Sequence, residues 1–153
     1  MNPSGETAKT VMIRGPRPDD IPALHGLCRE LGYDTPAEPL ERRINDIVFD
    51  ANQAAYVAEI DGLGVVGYVH VFTRFSLEVE PCAQIQALVV AESARRRGAA
   101  AKLMAAAEAW ARGRGLNWAS LYCTTTRAAA HEFYPSQGYE GAMVTTRFNK
   151  RLN

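Results

Sequence analysis

Residues Ala83–Trp110 read AQIQALVVAESARRRGAAAKLMAAAEAW. Within them the apolar run Ala87-Leu88-Val89-Val90 predicts a buried strand. Strict alternation would put Ala83, Ile85, Ala87 and Val89 on one face, and Gln84, Gln86, Leu88 and Val90 on the other. A polar link, Ala91-Glu92-Ser93-Ala94, leads to Arg95, Arg96, Arg97 and Gly98. The alanine-rich segment that follows has no Pro and no β-branched residue, so it predicts a helix. A strand, a basic turn and a helix start make an anion site. The first N–H groups of a helix lack internal partners, and the helix dipole places partial positive charge there. Gly98 lets a ligand approach the backbone, and the arginines can grip phosphate oxygens in bidentate fashion.

The chain around this stretch has 153 residues, enough for one domain with a proper core. It is 47% hydrophobic and 22% charged, with zero formal net charge. A non-specific nucleic-acid binder would be basic overall, so the arginine run is a local feature. Cys28, Cys82 and Cys123 are scattered and odd in number. They argue against a disulfide framework or a zinc site and favour a reducing compartment. No apolar run could span a bilayer, and the first residues lack the apolar core of a signal peptide. The expectation is a cytoplasmic protein with no nucleic-acid or membrane partner and no metal.

Working toward the N-terminus, residues 1–9 read as disordered and 10–153 as a single domain. Thr10–Arg14 predicts a first strand. Asp19 or Asp20 offers a cap to a helix carrying Ile21, Leu24, Cys28 and Leu31, with Gly32 as its stop. A second helix is predicted over Pro39–Asp50. A hairpin follows, with strands Ala54–Ile60 and Val65–Phe72 about an Asp61-Gly62 turn. Toward the C-terminus, Trp118–Cys123 predicts a strand and Ala128–Tyr134 a short helix ended by Pro135. Last strands are predicted from Gly138 through Met143–Phe148. Phe133, Trp110 and Trp118 are expected in the core. The alternation predicts an α/β (α+β) fold, a mixed central sheet flanked by helices.

Arg95-x-x-Gly98-x-Ala100 resembles the (Gln/Arg)-x-x-Gly-x-(Gly/Ala) signature of the GNAT superfamily of N-acetyltransferases. A second run, Arg127-x-x-Ala130-His131-x-Phe133-Tyr134-x-x-x-Gly138-Tyr139, is similar to that family's A-x-x-F-Y-x-x-x-G-(F/Y) helix. The two stand in the family's order. The resemblance covers almost all of the chain after Thr10 and looks like a small single-domain bacterial branch. Aminoglycoside acetyltransferases have a similar layout, but no residue here selects that substrate.

The resemblance implies the acetyltransferase fold and acetyl-CoA as cosubstrate. It implies that the backbone of Leu88, Val89 and Val90 pairs with pantetheine. It also implies that Arg95, Arg96, Arg97, Gly98, Ala99, Ala100 and Ala101 surround the pyrophosphate, with Tyr134 as the acid that protonates the departing thiolate. A phenol with a pKa of about 10 is protonated at neutral pH and nearly matched to an alkyl thiolate. Two departures stand out. Arg127 replaces an Asn that touches the cofactor in many members, and it can face the phosphates or solvent. Pro135 replaces a Glu, and it disfavours helical geometry at Tyr134.

Many relatives take the amine's proton with a strand Glu, where this chain has Gln84 and Gln86. An amide can orient a water but cannot accept its proton. Glu80 is the base candidate nearest in sequence together with Glu78; His70, His131 and bulk water are the alternatives. The function implied is acetyl transfer to a primary amine of a small molecule or peptide, by direct attack in a ternary complex. A CoA-binding sensor without turnover is the alternative on the same scaffold, and a phosphate or nucleic-acid module is a third reading. The sequence leaves the oligomeric state open; dimers are common among similar proteins, and a homodimer is one candidate assembly.

Overall fold

The computed structural model describes residues 9–153. The disorder expected for residues 1–9 therefore falls, but for Lys9, outside the described residues. The chain divides into two compact units, Met1–Tyr122 and Cys123–Asn153.

The first unit carries a five-stranded sheet in sequence order. Its strands are β1 (Val11–Arg14), β2 (Gln53–Ile60), β3 (Gly64–Arg74), β4 (Cys82–Val90) and β5 (Ala119–Leu121). β1 to β4 are antiparallel neighbours, and β5 joins β4 in parallel, so the sheet is mixed. Helix α1 (Ile21–Glu30) and helix α2 (Ala37–Val48) cover one face. There Leu24, Leu27 and Leu40 form a core with Val57 and Val89. Helix α3 (Ala99–Gly113) covers the other face with Ala99, Leu103, Met104, Ala107 and Ala111 buried. The predicted stripe is thus shifted toward Met104 and Ala111. Trp110 is half-buried, and Trp118, expected in the core, is 66% exposed. It lies just before β5, which is only three residues long, and not inside a strand as expected.

Gly67 allows α3 to lie close to the sheet. A Cβ there would sit 2.7 Å from the Val89 carbonyl oxygen and 3.2 Å from Leu103 Cδ1. A backbone atom cannot yield cheaply, so Gly67→Ala is expected to cost about 2–3 kcal/mol by overpacking. A lowered urea midpoint at unchanged slope would report it.

Ahead of α1, Asp20 does not cap the helix as expected; it ties β1 to the following turn. Its carboxylate accepts two bonds from Arg14, at 2.8 and 2.9 Å, and one from the Arg17 N–H at 2.7 Å. Arg14 Nε donates to Glu59 at 2.8 Å. The Arg14 hydrogen bonds hold the Asp20 carboxyl below its ordinary 3.8. This contribution is full above that pH and is lost as pH falls through the lowered value. Asp20→Ala would leave Arg14 largely buried with one partner removed. It is expected to cost about 3 kcal/mol, a Tm drop of roughly 10 °C by calorimetry at pH 7.

The second unit holds α4 (Ala128–Ser136). This helix passes Pro135 and does not stop before it. The proline lies in the last turn and removes one bond, while the Gln137 N–H still reaches the Phe133 carbonyl at 3.2 Å. The strands predicted from Gly138 through Phe148 do not form: residues 139–153 carry no helix or strand. Met143, Val144 and Phe148 are 78–89% exposed. A strand is defined by its neighbour, which local sequence does not supply.

Candidate active site

The pairing of β4 departs from strict alternation at Gln86. His70 pairs with Ala87 and Val71 with Ile85, so Gln86 is an extra residue, a β-bulge. His70 and Val71 point to opposite faces, so Ile85 and Ala87 do as well. The expected grouping of Ala83, Ile85, Ala87 and Val89 on one face is therefore wrong. Ala87 and Val89 share the α1/α2 face with Gln84, and Leu88 and Val90 turn to the α3 face. One inserted residue reverses every position beyond it.

The bulge coincides with a second break. β5 pairs with β4 only over Ala83–Ile85. Beyond it, Gln86–Val90 forms a strand edge without a ladder partner on the β5 side among the described residues. Backbone groups at such an edge are available to an extended ligand carrying amides.

This edge leads into the basic turn. Arg96 adopts φ 64° and Gly98 φ 79°, two left-handed residues within three positions. A left-handed arginine costs about 1–2 kcal/mol, a strain that collects at ligand sites. Such a turn gathers successive N–H groups into an anion-binding concavity. Gly98 opens α3, and the first helical bond runs from the Lys102 N–H to its carbonyl at 3.1 Å. No atom lies within 4 Å of the position a Gly98 Cβ would take, which leaves room above the turn. Arg95, Arg96 and Arg97 are exposed and make no ion pair or side-chain hydrogen bond among the described residues. Ala99 is buried, and Ala100 and Ala101 are half-buried in the first turn.

At the other end of β2 and β3 lie two adjoining cavities. One, of about 300 Å³, is lined by Asn52, Thr73, Phe75, Glu80, Pro81 and Arg114 among others. Arg114 braces it, donating to Asn52 Oδ1 at 2.7 Å while lying over the Trp110 ring at 5.2 Å. The other, of about 400 Å³, is lined by Asp50, Asn52, Gln53, His70, Phe72, Thr73, Phe75 and the bulge residue Gln86. Asp50 keeps its carboxyl below the usual range through hydrogen bonds from Gln53 and the Asn52 N–H. Glu78 is held low too, by the Ser76 hydroxyl that donates to it. Among the described residues no His, Cys, Asp and Glu cluster could hold a metal ion.

In the second unit, Tyr134 lies on α4, half-buried, with Phe133 and Tyr139 edge-on at ring centroids 5.4 and 6.1 Å away. Burial pushes its phenol above the ordinary 10, so it is protonated at neutral pH. Arg127 is exposed at the start of α4. His131 Nε2 donates to the Thr124 carbonyl at 2.9 Å and ties the preceding loop to the helix.

Residues 21–139 match the family described as Acetyltransferase (GNAT) family. This chain belongs to the GNAT family. Solved structures share its fold at low identity. The aminoglycoside N-acetyltransferase AAC(6')-Iy in complex with CoA is 19% identical, with a TM-score of 0.82 and 99% of each chain covered. A transcriptional regulator from Bacillus halodurans is 22% identical, with a TM-score of 0.78, covering 92% of this chain and 100% of that one. Glucosamine-6-phosphate N-acetyltransferase from Arabidopsis thaliana is 18% identical, with a TM-score of 0.75, covering 94% and 99%. No curated protein sequence matches the chain. The GNAT fold and the family expected from the two motifs are thus both found, and no helix among the described residues is long and apolar enough to cross a membrane.

Proposed function

We propose that this GNAT protein is an acetyl-CoA-dependent N-acetyltransferase acting on a primary amine of a small molecule or peptide. The observation that carries the reading is the continuity of one surface. An unpaired β4 edge, Gln86–Val90, runs into a left-handed, arginine-rich turn with open space above Gly98. An amide-bearing arm ending in a diphosphate fits that surface: the edge of Leu88–Val90 meets amides, and the N–H groups of Arg96–Ala101 meet phosphate. Unpaired guanidiniums at Arg95, Arg96 and Arg97 add charge, and Arg127 is a further candidate for the phosphates.

Acetyl-CoA supplies the activated thioester. The amine lone pair forms the new N–C bond, the C–S bond breaks, and sulfur takes the electron pair. Tyr134 is assigned as the donor of the proton that sulfur receives. Asp50 and Glu80, carboxylates facing the two cavities, favour an acceptor bearing positive charge. Two of the similar structures are named as acetyltransferases of an aminoglycoside and an amino sugar phosphate, which supports an amine acceptor of small size.

A second reading, a CoA-binding sensor, is favoured by Gln84 and Gln86 on the strand where a carboxylate base would stand. One experiment separates them. CoA is titrated by calorimetry, then thiol release from acetyl-CoA is followed over aminoglycosides, amino sugars and a lysine peptide. Binding with turnover of one amine supports the enzyme; binding without turnover of any supports the sensor. Absence of CoA binding contradicts both.

A further inference from the structure

The cavity beside the bulge contains a directional hydrogen-bond chain that fixes which nitrogen of His70 is basic. Gln53 Nε2 donates to Asp50 Oδ2 at 2.9 Å. A carboxylate only accepts, so the Gln53 amide has one orientation. Its Oε1 lies 2.9 Å from His70 Nε2. That oxygen also only accepts, so Nε2 carries the ring proton. A neutral imidazole has one N–H, which leaves the lone pair on Nδ1. Nδ1 makes no hydrogen bond among the described residues, and it is not among the buried side-chain atoms left without partners. Burial lowers the imidazole below its ordinary 6.5, so the ring is neutral at pH 7.

The surroundings leave His70 as the group suited to take a proton. Gln86, the bulge residue in the same cavity, cannot accept one. Gln84 shares its face and is likewise neutral. From the turn before β2, Asp50 reaches the ring only through Gln53. Two positions before His70 on the same face of β3, toward α1, stands Tyr68, kept neutral by burial, with Cys28 of α1 as its 3.6 Å contact. Glu78 is engaged by Ser76, and Glu80 and Arg114 line the neighbouring cavity. Gln86 lies next to Ala87, where the unpaired β4 edge continues, so the cavity adjoins the surface assigned above to the acyl donor.

Resting on the acyl-transfer reading, we propose that His70 is the general base of this enzyme. Nδ1 takes the proton of the acceptor ammonium, and Gln53 and Asp50 are positioning residues that fix the tautomer. The proton leaving nitrogen becomes the second ring N–H of an imidazolium, whose charge faces the Asp50 carboxylate across the Gln53 amide. The freed lone pair then forms the N–C bond, and as the C–S bond breaks the nitrogen's second proton leaves to solvent, balancing the proton that Tyr134 gives to sulfur.

The test combines side-chain ¹⁵N spectra of the full chain with kcat/KM against pH, using acetyl-CoA and the amine turned over best in the panel above. The spectra should show the Nε2–H tautomer, titrating below pH 6.5. Wild-type kcat/KM should rise with pH through that same range. His70→Gln should lose this limb and about a hundredfold in kcat/KM, with CoA affinity retained. Asp50→Asn should move the limb to lower pH, because a favourable charge is removed. Gln53→Leu should give mixed tautomers. Glu80→Gln should raise KM for a cationic amine and leave the limb in place. An Nδ1–H tautomer, a limb that survives His70→Gln, or a limb that follows Glu80 would each overturn the assignment. So would CoA binding without turnover of any amine. Absence of CoA binding would overturn the acyl-transfer reading itself, while the tautomer result would stand.

Discussion

Tyr134→Phe is expected to lower kcat by about a hundredfold or more, the range of a lost general acid. CoA affinity should be retained, since the role proposed for the hydroxyl is to protonate the leaving group. The aromatic body of Tyr134 packs edge-on against Phe133 and Tyr139, and Phe preserves that body. The fold should therefore persist, with any change in Tm confined to one lost hydroxyl. The pH profile adds a second signature. Burial holds the phenol above 10, so the acid form should persist through neutral pH and be lost only in strong alkali. Thiol release followed across pH in wild type and variant checks both points. Turnover unchanged by the substitution would remove the acid role and leave the rest of the site intact.

The second large effect concerns the turn. Arg95→Ala with Arg97→Ala should weaken CoA binding by about a hundredfold, or ~2.7 kcal/mol. Hydrogen bonds to charged groups contribute about 1.5–3 kcal/mol each, and exposure to solvent reduces that. Both side chains are exposed and unpaired, so little stability should be lost. Calorimetry at two salt concentrations separates charge from shape. The wild type should lose affinity as salt rises, and the double variant should lose less. Equal affinities would place the phosphates elsewhere.

Much of this was legible in the sequence because it is encoded locally. The alanine-rich segment after Gly98 has the composition of a helix and became α3. The Asp61-Gly62 turn joined β2 and β3 as expected, with Gly62 at φ 79°. The basic run Arg95–Gly98 is read directly from residue types, and the anion binding proposed for it rests on that run and on the left-handed turn. Other features depend on pairing between distant segments and could not be read. The bulge at Gln86 exists because β3 and β4 take different numbers of residues past one another. No local pattern announces it, and it inverted the faces assigned to half of β4. The residues after Gly138 were expected as strands, yet residues 139–153 form none among the described residues. Gln53 attracts no notice in sequence. It matters because the β2–β3 register places Ala55 opposite His70 and so brings Gln53 onto the same face. Asp50, lying between α2 and β2, completes the chain through a loop contact with Gln53 rather than a periodic one.

The central claim is that the β4 edge and the arginine turn together receive pantetheine diphosphate. Backbone amide shifts recorded while CoA is titrated into the full chain test it most directly. The account predicts saturable changes at Leu88–Val90 and at Arg96–Ala101, with a Kd of about tens of micromolar or tighter. Saturable changes confined to other segments, or none at all, would contradict it.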